Sequence, residues 1–240
     1  MRCNVTNFRW VLFALVCLGI TGPRATWADP AHGDWVNDPF APHVTRGTTA
    51  RVGTAVGFVY GELLDASAIG LTTAVGQRFG RLAIEAELAY LSLNPRGPSS
   101  QRIGDAERLG AVARFDVLRI GPEWVGGNSL LAFYVEGGAG VAWNHWYRPR
   151  ASEMRVVPDD SQRAEGQVGF GVSLDHRLQE PIGFPHRIGW FLGWRLAMAP
   201  HDAETSAVCR GAICRSSTAA PDERFIDRSM LFQSSLIATW

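Results

Sequence analysis

The chain has 240 residues, of which 46% are hydrophobic and 19% are charged, and its formal net charge at pH 7 is zero. All 23 basic residues are arginine, and 23 acidic residues balance them. A nucleic-acid-binding protein needs a basic surface to neutralise phosphates, so this balance argues against a nucleic-acid partner.

The N-terminus predicts a cleavable secretory signal over residues 1–28. This segment contains three arginines and no acid, and an apolar run from Trp10 to Ile20 precedes a cleavage site after Ala28. The run is too short for a transmembrane helix, which needs about 20 apolar residues. Residues 29–48 contain prolines and show no strand pattern, so they predict a periplasmic N-terminal segment or a partial plug.

Eight segments after residue 48 alternate between apolar residues and small or polar residues, as strands with two unlike faces do. The first four run over 51–62, 68–80, 81–94 and 108–120. In the third, Leu82, Ile84 and Leu88 alternate with Glu85 and Glu87. The charged residues therefore share a face with small residues, opposite a face of large apolar side chains.

The last four segments run over 130–146, 167–176, 187–200 and 230–240. The last one ends in mid-strand on Trp240, and an aromatic residue at that position suits a membrane boundary. Only helices and closed barrels satisfy all backbone groups in lipid. The even number of segments therefore predicts an all-β fold: an eight-stranded antiparallel transmembrane β-barrel with an up-and-down meander, over residues 49–240.

The connections between these segments alternate in length. Tight links are predicted at 77–81, 121–128 and 180–185, and longer loops at 95–106, 147–164 and 201–223; the first link, at 63–67, is also short. Short turns at one end and long loops at the other are typical of outer-membrane barrels, whose long loops face outward. A soluble sandwich or lipocalin-type barrel is the alternative, but it would place the charges outside and the apolar residues inside.

Seven charged residues are predicted to lie inside the barrel, where an eight-stranded lumen is only wide enough for side chains. They are Glu85, Glu87, Arg114, Asp116, Glu136, Asp175 and Arg195. An ion path or a ligand site is one interpretation. A salt-bridged plug is the favoured one, because an unpaired buried charge costs several kcal/mol.

Cys209 and Cys214 are the only cysteines that remain after removal of the signal, which contains Cys3 and Cys17. They lie in a predicted loop of an exported chain, and export compartments are oxidising. A disulfide between them is therefore predicted. A metal site is not, because two sulfurs alone do not complete a tetrahedral shell.

The segments 131–141, 169–172 and 236–240 resemble the OmpA-like superfamily of eight-stranded outer-membrane β-barrels. The resemblance implies a location in the bacterial outer membrane and assembly by the outer-membrane insertion machinery. It also implies that this machinery recognises the terminal strand, with Phe232, Leu236 and Trp240 as the terminal assembly signal. It implies no single activity, since members include structural anchors, adhesins, lipid A enzymes and narrow pores.

Catalytic motifs of barrel enzymes are absent from the sequence. A lipid A deacylase needs a serine near a histidine and an acid, and none of the six histidines has a serine two positions away. Asp159-Asp160 and His201-Asp202 are superficially similar to the acids and the Asp/His pair of omptin-like proteases. Adjacent residues in a strand point to opposite faces, however, and eight strands are too few for that family. No catalytic, cofactor-binding or metal-binding residue is predicted.

The predicted loop 147–164 contains four arginines, which suit contact with lipopolysaccharide phosphates or with a partner at the cell surface. Trp143, Trp146 and Tyr147 precede it and are predicted to form an interfacial girdle. The sequence thus predicts a monomeric, non-enzymatic outer-membrane barrel with a structural or surface-interaction role. A narrow passive porin-like channel is the alternative, and a lipid A-modifying enzyme is a third.

Overall fold

The computed structural model describes residues 47–60, 65–95, 103–121, 128–149, 154–158, 160–178, 185, 187–200, 206–211, 213–217 and 226–240. The predicted signal (1–28) and most of the predicted N-terminal segment (29–48) lie outside these ranges, so those predictions stay predictions. Only Gly47 and Thr48 of that segment are described, and both belong to the first strand. Within the described part of the chain, no helix has the length and apolar character needed to cross a membrane.

Eight long strands form a closed barrel: β1 (Gly47–Tyr60), β2 (Asp65–Phe79), β3 (Leu82–Pro95), β4 (Gly104–Ile120), β5 (Ser129–Trp146), β7 (Ser161–Arg177), β8 (Arg187–Pro200) and β11 (Ile226–Thr239). Their order around the barrel is β1-β11-β8-β7-β5-β4-β3-β2, and every neighbouring pair is antiparallel. The predicted eight-stranded up-and-down barrel is confirmed. The predicted closing role of the last segment is also confirmed, since β11 pairs with both β1 and β8.

Three strands extend further toward the long connections than predicted. β4 begins at Gly104, β7 at Ser161 and β11 at Ile226. The polar residues at these strand ends interrupt the apolar alternation that a membrane-facing strand shows. Backbone pairing does not need that alternation, so the ladder continues past the point where the sequence pattern stops.

Two connections that were predicted to be loops contain strands. β6 (Met154–Pro158) lies between β5 and β7, and β9 (Ser206–Arg210) and β10 (Ile213–Ser217) lie between β8 and β11. They form a separate three-stranded sheet in the order β10-β9-β6. The β9–β10 turn includes Gly211 with a φ of 57°, a left-handed conformation that glycine adopts without strain. The prediction missed this sheet because its strands have only five residues each.

Large apolar side chains cover the outside of the barrel. Leu71, Phe170 and Leu236 are 63%, 62% and 63% exposed, whereas Arg78 on the strand of Leu71 and Asp175 on the strand of Phe170 are buried. A soluble barrel has the opposite distribution, with apolar residues inside. The outer surface is therefore suited to contact with lipid.

The lumen near the long connections is apolar, which differs from the predicted interior of small and polar residues. Leu91, Leu93, Ile103 and Leu231 form a buried cluster there with several alanines, and Trp146 contacts it. This position corrects the predicted interfacial girdle, because Trp146 is turned inward. Trp143 and Tyr147 have the opposite parity in the alternation and face outward. An apolar layer of side chains thus lies between the polar lumen and the strand ends that lead to the long connections.

Candidate functional site: the charged interior of the barrel

All seven charged residues that were predicted to lie inside the barrel are buried there, and none is more than 8% exposed. Their positions on alternate residues of β3, β4, β5, β7 and β8 direct them inward. The structure gathers five of them into one central cluster and brings two into a second cluster near the short turns. Each cluster also includes arginines that were not predicted from the sequence.

The central cluster consists of three arginines and three glutamates, so its formal charges cancel. Arg51 Nη2 lies 3.1 Å from a Glu85 oxygen and 2.7 Å from a Glu87 oxygen. Arg114 lies 3.3 Å from Glu85. Arg195 lies 2.8 Å from Glu136 and also forms a close ion pair with Glu87. Each carboxylate therefore has at least one guanidinium partner, as buried charges require.

Two stacked aromatic rings support the central cluster. Tyr134 and Phe191 lie with their ring centroids 4.7 Å apart, and the Arg51 guanidinium lies 4.2 Å from the centre of the Phe191 ring. Such a position is favourable for a cation over an aromatic face. Gly171 and Gly193 make room for Tyr134, because a Cβ at either position would collide with its hydroxyl oxygen. The small residues inside the barrel thus have a direct packing role.

The second cluster closes the end of the lumen near the short turns. Arg78 lies 2.5 Å from Asp116 and 2.9 Å from Asp175, and it thereby connects β2 to β4 and β7. Arg119 lies 2.8 Å from Asp116 and donates a hydrogen bond of 2.6 Å to the Gly80 carbonyl. The ion pairs and the turn backbone are therefore held together as one unit.

Most of the arginines that sequence reasoning missed carry the same alternation signal as the residues it selected. Arg78 and Arg187 lie near strand ends, and Arg51 is the fifth residue of β1. All three are on the inward side of the alternation, so extending the inward pattern by one step would have found them. Arg119 is different. A β-bulge between Asp116 and Leu118 inserts one residue into β4 and turns Arg119 inward.

A third, smaller polar group lies between the central cluster and the apolar layer. Arg108 Nη2 donates a 2.9 Å hydrogen bond to Ser229, and Arg108 Nε lies 3.7 Å from Glu165. The cavity beside them has a volume of 10 Å³, which suits about one water molecule. Ligand pockets are larger, at about 300–1,000 Å³.

The structure brings together two histidine pairs that are not adjacent in sequence. Ser129 Oγ lies 3.0 Å from His176 Nδ1, and His145 Nδ1 lies 3.3 Å from Asp160. The first pair has a nucleophile and a base, and the second has a base and an acid, but the described hydrogen bonds do not join all three members of a triad. Asp159, His201 and Asp202 lie outside the described residues. In the described part of the chain, no cluster of three or more metal-ligating side chains occurs.

The disulfide between Cys209 and Cys214 is present and joins β9 to β10, as predicted. Phe232 and Leu236 lie on the outward face of β11, and Trp240 follows the strand directly. Leu236 and Trp240 are exposed, and the Phe232 ring lies edge-on to Trp194 with the ring centroids 5.5 Å apart. Their predicted recognition by the insertion machinery stays a prediction.

No protein-family model and no curated protein matches the sequence. Among solved structures, the chain is similar to Neisserial surface protein A, with 12% sequence identity and a TM-score of 0.49. The similarity covers 82% of this chain and 99% of that one.

Proposed function

We propose that this chain is a closed, non-conducting barrel of the bacterial outer membrane that has no catalytic role and acts through the surface formed by its long connections. It is a structural or surface-interaction protein of the OmpA-like kind. The observation that carries the proposal is the contrast between an apolar exterior and a lumen filled by paired charges and apolar side chains.

The membrane location is supported by the outer surface. Trp190, Phe170 and Leu71 are each more than half exposed, and a soluble monomer rarely exposes apolar area on this scale. The outward face becomes polar toward the long connections, where Glu107, His145 and Gln162 follow the apolar residues. This boundary favours a membrane-embedded band with the long connections outside it.

The closed lumen is supported by three successive layers. Ion pairs of Arg78 fill the end near the short turns, the neutral cluster around Arg51 fills the centre, and the group around Leu91 and Leu93 fills the far end. An ion that entered from either side would have to break buried ion pairs or cross an apolar layer. Both steps are costly, because an ion must lose its hydration.

The remaining parts of the proposal concern partners. After the chain is exported with a signal that is then cleaved, the barrel-assembly machinery would recognise the outward face of β11. The exposed Arg148 beside Tyr147 would contact lipopolysaccharide phosphates, for which guanidinium groups are well suited. The protein would act as a monomer, since each barrel strand already pairs on both edges and leaves no open edge in the barrel.

Three measurements on the full-length protein test the proposal: gel migration of the membrane fraction, planar-bilayer conductance of the refolded protein, and lipid A composition of cells that express it. The folded barrel should migrate differently from the boiled protein on a gel after membrane fractionation, and it should give no reproducible single-channel steps in a planar bilayer. A soluble product without a gel shift would refute the proposal of a membrane barrel. Regular conductance steps would refute the closed barrel and indicate a narrow channel. A change in lipid A acyl chains on expression would indicate an enzyme.

A further inference from the structure

The small sheet β10-β9-β6 has two outer edges, and these edges differ in their backbone chemistry. β6 ends at Pro158, which has no N–H group to donate. β10 contains no proline, and among the described residues its only paired neighbour is β9. An open strand edge with free N–H and C=O groups is a template for another strand.

The register identifies which backbone groups of β10 face outward. Cys209 and Cys214 are directly opposite, with Cα atoms 4.0 Å apart. This short distance is typical of a non-hydrogen-bonded pair in an antiparallel ladder. The N–H and C=O groups of Cys214 therefore point away from β9, and so do those of Ser216 two residues later.

The side chains of the hairpin give this edge a chemical preference. On the face opposite the disulfide, Arg210 is across from Ile213 and Arg215 is across from Val208. Arg210 and Arg215 are exposed, and Ile213 is 75% exposed. The three strands of the sheet contain three arginines and no acid. A strand added to β10 would place an acidic side chain beside Arg215 and an apolar one beside Ile213.

The hairpin is also prepared for such an addition before any partner arrives. The disulfide ties β9 to β10, and Cys209 is 1% exposed, so the opposite face is held outward. A preformed edge lowers the ordering cost of binding. Strand addition obtains affinity from main-chain hydrogen bonds and specificity from alternate side chains.

We propose that β10 binds an extended acidic segment of another protein as a fourth strand. In that segment, acidic and apolar residues occupy every second position, and the positions between them hold residues of any type. This inference rests on the proposed surface role of the long connections. The expected partner is a polypeptide strand with an acid two positions from an aliphatic residue.

The test uses refolded full-length protein in detergent micelles and a labelled synthetic peptide in which glutamate, valine and glutamate occupy alternate positions between threonines. Fluorescence anisotropy should show binding, and a peptide with lysine in place of glutamate should bind about tenfold more weakly. Ser216→Pro removes an outward N–H but no bond to β9, a change that edge strands tolerate. It should weaken binding about tenfold relative to the matched variant Ser216→Ala.

Charge reversal provides a second variant that does not depend on proline. Arg215→Glu should lose the preference for the glutamate peptide and gain one for the lysine peptide. Equal binding by Ser216→Pro and Ser216→Ala, or no binding to the unaltered protein, would overturn the proposal. Discrimination by charge alone would indicate an anion-binding surface instead of strand addition. Gel shift and conductance report on the barrel separately, so a failed peptide experiment leaves the proposed function to its own tests.

Discussion

Arg51 and Glu87 form an ion pair of 2.7 Å across the lumen face of β2, although neither residue belongs to that strand. Both are in register with the same β2 residue, Ala74, which is paired with Arg51 on one side and with Glu87 on the other. The methyl group of Ala74 is small enough for the guanidinium and the carboxylate to meet above it. Small interior residues and long charged ones are thus parts of one arrangement.

Glu87→Gln should destabilise the barrel, because it leaves Arg51 and Arg195 with less compensating charge in the centre of the lumen. Breaking a buried ion pair by removing one partner costs about 3–5 kcal/mol. Urea unfolding of the refolded protein in lipid vesicles measures the loss. Glu107→Gln, at an outward position near the long connections, is the control and should change the unfolding free energy little. Equal effects of both substitutions would contradict the buried ion-pair network around Glu87.

Ala74→Leu should separate Arg51 from Glu87 by filling the space between them. Overpacking a close-packed interior costs about 1–3 kcal/mol. Ala86→Leu adds the same atoms to the outer surface, where Ala86 is exposed, and should cost much less. The same unfolding assay compares them, and a larger loss for Ala86→Leu would reverse the assignment of the two faces.

Phe191→Ala should be among the more damaging single substitutions in the barrel. The ring is fully buried, stacks on Tyr134 and contacts the Arg51 guanidinium. Removing such a side chain costs about 3–5 kcal/mol. Phe170→Ala, three residues from Ser173, the register partner of Phe191 on the adjacent strand, is the matched control in unfolding experiments, because Phe170 is 62% exposed on the outside. Similar losses would show that Phe191 is not part of a packed interior.

Reduction of the Cys209–Cys214 disulfide should loosen the β9–β10 hairpin without changing the barrel. The bond joins residues of the small sheet only, and the barrel closes through other strands. Trypsin cleavage after Arg210 and Arg215 should therefore accelerate in the double variant Cys209→Ser/Cys214→Ser, while the gel shift stays the same. Unchanged cleavage rates would mean that β6 and the surrounding connections hold the hairpin without the bond.

Ser129→Ala and His176→Ala should leave lipid A unchanged. The two side chains form a hydrogen bond of 3.0 Å, and the hydrogen bonds described for His176 include no carboxylate to orient it as a base. Mass spectra of lipid A from cells that express the unaltered protein, either variant or none should be identical. An acyl-chain difference that disappears in the variants would make this pair catalytic and refute the non-enzymatic proposal.

The inside and outside of the barrel could be predicted from the sequence because the alternation of a strand is a local property. Residues two apart share a face whatever the rest of the chain does, so Glu85 and Glu87 could be placed in the lumen together. The number of long strands and the alternation of connection lengths followed from the same local patterns. The partners of these charges did not.

Ion-pair partners were decided only by tertiary structure, because the barrel is staggered. Following the register from Gly76 once around the barrel returns to β2 at Ala66 instead of Gly76. This shift sets which residues of distant strands face each other across the lumen. The shift arises only when the barrel closes, so the sequence of a single strand does not reveal it.

Local irregularities and weak sequence patterns explain the other features that were not predicted from the sequence. The bulge beside Val117 turns Arg119 inward against the alternation, and the five-residue strands of the small sheet have too little periodicity to be recognised. The sequence around Leu91 and Leu93 did not distinguish an apolar layer inside the barrel from the apolar residues of the outer face. Sequence by itself determined the faces of the strands, because side-chain direction depends on neighbouring residues; contacts across the lumen were decided by the closed ladder, because they join residues that are far apart in the chain.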